Sequence, residues 1–150
     1  MIILTIIIVI LIFVDQISKY MVITKLYKGS LNIIPYLLNF TYVENKGALF
    51  GLGQSFTAFF IITNIIIVLA LIFYLSKKRK LISKSFTTVL ILFISGGIGN
   101  LIDRITKGFV IDFIDISPIF DWPVFNIADV YVVIACVLFS ILILVKKEKV

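Results

Sequence analysis

Two aspartates set in apolar surroundings are the residues of this sequence with the clearest capacity for chemistry. Asp112 lies within Val110–Phe113, and Asp129 follows directly on Phe125–Ala128. A carboxylate beside a membrane-depth apolar segment costs roughly 2.5 kcal/mol or more, so its presence calls for a functional explanation. Because the chain has no histidine, proton transfer must rely on carboxylates, lysines or tyrosines. Two neighbouring carboxylates can share one proton and act as acid and base.

Membrane helices are the elements that we expect around these aspartates. The chain has 150 residues, of which 61% are hydrophobic, and its mean hydropathy is +1.20, whereas soluble domains are roughly 45–50% apolar. Apolar runs of about 20 residues predict transmembrane helices. Four are expected, at about residues 2–23, 56–75, 86–105 and 127–145. We therefore predict an all-α membrane protein in which residues 1–150 form a single membrane-embedded domain.

The basic residues indicate how these helices are oriented. Lysines and an arginine crowd the linker Lys77–Lys84, and further lysines crowd the tail Lys146–Lys149. Cytoplasmic segments carry such an excess of positive charge. We expect the linker and both termini in the cytoplasm, with residues 24–55 and about 106–125 outside. The lysines directly adjoin apolar spans, so anionic lipid explains them better than nucleic acid does.

The first outer segment contains a weaker pattern. Residues 37–43 mix aromatic and β-branched side chains with partial alternation, and Gly47, Gly51 and Gly53 follow. Such a pattern favours strands separated by turns. We expect a small β-containing region lying over the outer surface of the helices.

Five short patterns occur in order along the chain, and together they carry a family resemblance. They are Asp15-Gln16-Ile17-Ser18-Lys19, Asn45-Lys46-Gly47-Ala48-Leu49-Phe50, the glycine-rich run from Gly96 to Arg104, and the segments around Asp112 and Asp129. In this order the sequence resembles the lipoprotein signal peptidase family, signal peptidase II. The resemblance implies a bacterial membrane aspartic endopeptidase that removes signal peptides from prolipoproteins, cutting just before a cysteine that carries diacylglycerol.

The resemblance also implies the site. It assigns Asp112 and Asp129 as the catalytic pair and surrounds them with residues that bind substrate or support the pair: Asp15, Asn45, Gly47, Asn100, Asp103, Arg104, Asn126 and Ala128. It implies neither a cofactor nor a metal. The expected partners are lipid-modified prolipoprotein signal peptides and membrane lipids, with a monomeric enzyme in the bacterial cytoplasmic membrane and its active site at the extracytoplasmic face.

Several of these residues also have purely structural interpretations. Asn126 precedes a predicted helix and could be its N-cap, a role as well supported as contact with substrate. Asp15 and Lys19 are four residues apart and could form an ion pair. Asn45 and Gly47 could set a turn rather than line a cleft.

The glycines of the third span and the remaining outer aspartates also have structural interpretations. Gly96, Gly97 and Gly99 favour close helix packing over room for a peptide. Asp115 and Asp121 lie in an outer loop, and we expect neither to belong to the catalytic pair.

Other functions compete with the peptidase interpretation. A small intramembrane proton or ion transporter would use aspartates as a relay, but a relay also needs polar groups in the inner halves of the spans. A Ser-Lys protease based on Lys19 or Lys46 stays formally open, although neither lysine has a convincing serine. A single cysteine without histidine argues against zinc chemistry.

Overall fold

The computed structural model describes residues 1–47 and 57–145 of the chain. Within these residues, four helices have the length and apolar character needed to cross a membrane. They are α1 Ile2–Leu26, α2 Thr57–Lys78, α3 Lys84–Lys107 and α4 Ile127–Val145. A small antiparallel sheet accompanies them, so the predicted fold class is confirmed. Residues 48–50 of the second pattern, Gly51, Gly53 and the tail lysines lie outside the described residues.

Helix α3 shows why the helices extend beyond the apolar runs themselves. Its N-cap is Ser83, whose hydroxyl accepts the backbone N–H of Phe86 over 3.1 Å. It ends at Gly108, which adopts the left-handed conformation with φ of 80° and donates its N–H to the Arg104 carbonyl. Capping residues thus set the two ends of α3. Hydropathy alone predicts each end about two residues too far inside the helix.

The sheet has three strands in the order β1 Ser30–Ile34, β2 Leu38–Asn45 and β3 Val110–Asp115. Strand β2 pairs with both neighbours in antiparallel fashion. The first two strands form a hairpin in the segment where a small β-containing region was expected, although the pattern at residues 37–43 covers only β2. The third strand was not predicted, and it carries Asp112 opposite Val43 of β2. The sheet therefore places a segment from the connection between α3 and α4 beside one from the connection between α1 and α2.

Helix α3 lies at the centre of the bundle. Within its most apolar stretch 44% of the residues are buried, against 11% in each of the other three helices. The glycines of α3 make this possible: a Cβ on Gly96 would lie 2.5 Å from the Ala128 carbonyl oxygen, and one on Gly97 would lie 2.8 Å from Val68 Cγ2. The packing interpretation of these glycines is confirmed. This packing brings the C-terminal half of α3 close to the N-terminal end of α4.

Candidate active site

Asp112 is a buried carboxylate in the middle of β3, with 2% of its surface exposed. Each of its oxygens accepts a hydrogen bond from a side-chain amide. Asn126 Nδ2 donates to Oδ1 over 2.6 Å, and Asn45 Nδ2 donates to Oδ2 over 2.8 Å. Asn45 reaches Asp112 because its strand pairs with β3 and residues two apart on paired strands share a face.

Asp129 is held in the first turn of α4 by reciprocal hydrogen bonds with Asn126. The backbone N–H of Asn126 donates to Asp129 Oδ2 over 3.1 Å, and Asn126 Oδ1 accepts the backbone N–H of Asp129 over 3.0 Å. This arrangement is a capping box built from asparagine and aspartate. The N-cap interpretation of Asn126 is confirmed, and the cap fixes the orientation of the Asp129 carboxylate.

Two asparagine side chains connect the two carboxylates. The Asn126 amide donates to Asp112 and also to Asn100 Oδ1, over 3.0 Å. Asn100 Nδ2 in turn donates to Asp129 Oδ1 over 2.7 Å. Because a side-chain amide has two N–H donors, both donors of Asn126 are engaged within the site. The chain folds so that its two candidate acids share one set of amides.

A cluster of buried charges lies behind Asn100. The ammonium group of Lys19 is 2.9 Å from Asp15 Oδ2 and 2.9 Å from Asp103 Oδ2, and it donates to Asn100 Oδ1 over 3.0 Å. Lys19 is 1% exposed, and both aspartates are fully buried. Asp103 also pairs with Lys107 and accepts the N–H of Ile111 at the start of β3. The ion pair expected between Asp15 and Lys19 is present, as part of this larger cluster.

Asp15 also ties α1 to the start of α4. Its Oδ1 accepts the backbone N–H of Ala128 over 2.9 Å, and its Oδ2 accepts Gln16 Nε2 over 3.1 Å. A Cβ on Gly99 would lie 2.6 Å from Asp15 Oδ2. The glycine at this position of α3 therefore leaves the space in which a buried carboxylate joins three helices.

Arg104 holds the end of β2. It donates to the Gly47 carbonyl over 3.2 Å, while its guanidinium carbon lies 5.9 Å from the centre of the Phe60 ring. The Gly47 N–H donates to Asn45 Oδ1 over 3.0 Å, which forms the expected Asx turn. The turn leaves the Asn45 amide nitrogen facing Asp112. The structural and site interpretations of Asn45 thus apply together.

Both carboxylates line a cavity of about 420 Å³, a size suited to small-molecule or peptide segments. Its polar lining consists of the two aspartates together with Asn45, Asn100 and Arg104. The other walls are apolar and come from β3, the segment before α4 and one side of α4 itself: Val110, Ile116, Trp122, Pro123, Val124, Phe125, Val130, Val132, Val133 and Ile134. The cavity therefore offers an acid pair at one wall and a long apolar surface beside it.

The environment of Asp112 favours its protonated form. Burial raises its pKa to about 7, and the nearby charge of Asp129 acts in the same direction, although the hydrogen bonds from Asn45 and Asn126 and the charge of Lys19 oppose the rise. Near neutral pH this carboxyl therefore exchanges a proton readily. Such a group suits acid–base chemistry.

The predicted site residues form one connected network. Every one of the ten hydrogen-bonds or ion-pairs with another member or with Lys19. Asp115 lies apart, bonded to Thr41 and Ser117, and Asp121 is exposed. The sequence interpretation left Lys19 out of the site, although the spacing of Asp15 and Lys19 within an apolar span already paired them. All three N–H donors of Lys19 are engaged by acceptors, which argues against its use in a Ser-Lys dyad.

The chain is similar to known proteins over nearly its whole length. The family model described as signal peptidase (SPase) II matches residues 7–145. The lipoprotein signal peptidase of Clostridioides difficile is 42% identical over 144 residues, which cover 95% of each chain. That of Caldanaerobacter subterraneus subsp. tengcongensis is 38% identical over 136 residues, covering 90% of this chain and 91% of the relative.

Solved structures give the same result. Two structures described as bacterial membrane enzymes determined by the in meso method are each 35% identical to this chain and cover 97% of it. Their TM-scores are 0.86 and 0.83, and the matches cover 89% and 94% of those chains. The similarity in fold and the similarity in sequence therefore extend over nearly the same residues.

Proposed function

Because the chain belongs to the signal peptidase II family, we propose that this membrane protease cleaves signal peptides from prolipoproteins with Asp112 and Asp129 as its catalytic pair. The single observation that carries the proposal is that the two carboxylates line one cavity and are bridged by Asn126. Like charges at such a site favour a state in which the pair holds one proton.

In the proposed mechanism Asp129 is the base and Asp112 is the acid. Asp129 takes a proton from water while the water oxygen attacks the scissile carbonyl carbon, and Asp112 donates its proton to the carbonyl oxygen. The tetrahedral intermediate then collapses as the C–N bond breaks: Asp129 gives its proton to the leaving amine nitrogen, and Asp112 takes a proton back from a hydroxyl of the intermediate, which leaves the carboxyl product and restores the pair. The raised pKa of Asp112, about 7, supports its role as proton carrier. The position of Asp129 in the first turn of α4 supports a negative charge there, because the helix dipole is positive at that end.

The proposed substrate is a prolipoprotein cut just before its diacylglyceryl-modified cysteine. The apolar wall of the cavity, formed partly by Val130, Val133 and Ile134 of α4, suits a ligand that remains in the bilayer. We place the site at the extracytoplasmic face, because the basic linker between α2 and α3 belongs on the cytoplasmic side and the sheet lies at the opposite ends of these helices. The enzyme is proposed to act as a monomer that meets its substrate and lipids within the bacterial cytoplasmic membrane.

Substitution of either aspartate tests this function. We expect Asp112→Asn and Asp129→Asn each to lower turnover of a lipid-modified prolipoprotein in detergent by about 10²-fold or more, because each removes half of the acid–base pair. The exposed Asp121 provides a matched control: Asp121→Asn should keep near-normal turnover. Asp115→Asn should also be mild. Near-normal turnover by either variant of the pair, with the thermal stability of the wild type, contradicts the assignment.

A further inference from the structure

Lys19 lies at the centre of the buried network, although the site residues implied by the family resemblance do not include it. It lies on α1, yet its ammonium group reaches α3 at both Asp103 and Asn100. Only 1% of its side chain is exposed. A buried lysine needs compensation for lost hydration, and two aspartates provide it. The contact with Asn100 is additional to that compensation. Asn100 itself donates a hydrogen bond to Asp129 of the acid pair.

The contact with Lys19 determines which way the Asn100 amide faces. An ammonium group is only a donor and an ionised carboxylate is only an acceptor. Asn100 lies between Lys19 on one side and Asp129 on the other, so its oxygen must face Lys19 and its nitrogen must face Asp129. Asn126 Nδ2 donates to the same oxygen. The orientation therefore follows from the chemistry of the neighbours and not from the placement of amide atoms alone.

We propose that Lys19 is a positioning residue for peptide hydrolysis: its ammonium group locks the Asn100 amide so that Nδ2 holds the Asp129 carboxylate ionised and in place. This inference rests on the proposed function of the pair. Lys19 does not touch the cavity and transfers no proton, since its three N–H donors are held by Asp15, Asp103 and Asn100. It acts through one amide and through its charge.

The pH dependence of activity also reflects the other charged and titratable groups that face this network. They are Asp15 on α1, Asp103, Arg104 and Lys107 on α3, Asp112 on β3, and Asp129 and Tyr131 on α4. Removal of the Lys19 charge makes ionisation of the acid pair less favourable. Both limbs of the activity profile should then move to higher pH. A purely structural role for Lys19 predicts no such movement.

The experiment measures kcat/KM against pH in detergent for Lys19→Met and for Asp15→Asn/Lys19→Met. The double variant removes the ion pair without a net change of charge and leaves an amide oxygen to accept the Ala128 N–H, so it is the variant expected to fold if the single one does not. For Lys19→Met we expect both limbs to move up by about one pH unit and kcat to fall about tenfold, with KM changed less than about twofold. The double variant should show the same loss of kcat, but its limbs should move less, because the lost Asp15 charge offsets the lost Lys19 charge.

Lys107→Met is the matched control. Lys107 contacts the same Asp103, over 2.6 Å, but it is 29% exposed and, within the described residues, forms no hydrogen bond with Asn100. Its loss should leave the pH profile in place. If the double variant folds and keeps the kcat of the wild type, the positioning role is wrong even when Asp112→Asn and Asp129→Asn are inactive. If those two variants stay active, the proposed function fails as well.

A double-mutant cycle provides a second readout. If Lys19 acts through Asn100, the combined variant Lys19→Met/Asn100→Ala should have about the same kcat as Asn100→Ala alone, because the amide to be positioned is already gone. Independent, multiplicative losses in the two single variants would overturn the proposal. Thermal unfolding of all variants in the same detergent separates loss of the fold from loss of positioning.

Discussion

Amide side chains, more than charged groups, immediately surround the candidate acid pair. Asp112 accepts from Asn45 and Asn126, and Asp129 accepts from Asn100 and from the backbone of Asn126. An amide donor stabilises a carboxylate without fixing it as an anion, whereas a direct lysine or arginine partner strongly favours the ionised form. Lys19 is separated from the pair by Asn100, and Arg104 donates its hydrogen bond to the Gly47 carbonyl. The pair can therefore keep a proton at neutral pH.

The raised pKa of Asp112 predicts a stability that depends on pH. Folded Asp112 keeps its proton up to about pH 7, whereas the same carboxyl group in the unfolded chain loses its proton near pH 3.8. The folded state thus binds more protons between these values, and the free energy of unfolding falls as pH rises through this window. The full effect is on the order of 4 kcal/mol.

Thermal unfolding in detergent between pH 4.5 and 8, expressed relative to the variant Asp112→Asn, measures this effect. The wild type should lose stability relative to Asp112→Asn as pH rises, because the amide does not ionise. A difference between the two proteins that is constant with pH, or that grows in favour of the wild type, contradicts the raised pKa.

At this scale the sequence selected residues that the structure brings together, but it predicted only the contacts between near neighbours along the chain. The apolar surroundings of Asp112 and Asp129 and the lack of histidine pointed to these two residues, and the family resemblance supplied the other eight. The bond from Asn45 to Asp112 joins residues 67 positions apart, so it depends on the pairing of β2 with β3, which no local pattern encodes. The contact from Lys19 to Asn100 spans 81 positions and could not be predicted for the same reason.

At the scale of elements, the packing of α3 against α4 decides whether the site forms. The glycines allow the two helices to approach closely, and the capping box then points Asp129 at Asn100. Hydropathy predicted all four helices because long apolar runs have few alternatives in a membrane. It could not predict β3, a segment of six residues whose strand conformation comes from pairing with β2.

Two adjacent glycines on α3 test this packing. In Gly96→Ala the new methyl would lie 2.5 Å from the Ala128 backbone oxygen, which cannot move without shifting α4. We expect a loss of about 1–3 kcal/mol in unfolding free energy together with a clear loss of turnover. Gly97→Ala is the control, because its methyl meets the Val68 side chain of α2 and leaves the contact between α3 and α4 intact.

The measurements are thermal unfolding and turnover in the same detergent. Gly97→Ala should keep turnover per folded molecule close to that of the wild type. Equal losses of turnover in both variants would show that α3–α4 packing is not what positions the acid pair.

At the scale of the whole molecule, the charges are divided between the two ends of the bundle. The basic linker after α2 lies at one end, whereas the sheet and the buried ion cluster lie at the other. From the positive-inside rule we expect the sheet to lie outside the cytoplasm. This orientation matches the proposed substrate, whose scissile bond lies beyond the outer end of a signal-peptide helix.

Cysteine labelling in intact cells tests this orientation. In a Cys136→Ser background, Tyr36→Cys places a thiol in the hairpin at a position that is 89% exposed, and Leu81→Cys places one in the linker at a position that is 78% exposed. A membrane-impermeant maleimide should label Tyr36→Cys in cells that have lost their outer envelope but keep an intact cytoplasmic membrane. It should label Leu81→Cys only after lysis, because the inner membrane then no longer excludes the reagent. The two sites are matched in exposure, so a reversed pattern would place the acid pair at the cytoplasmic face and separate it from the proposed substrate.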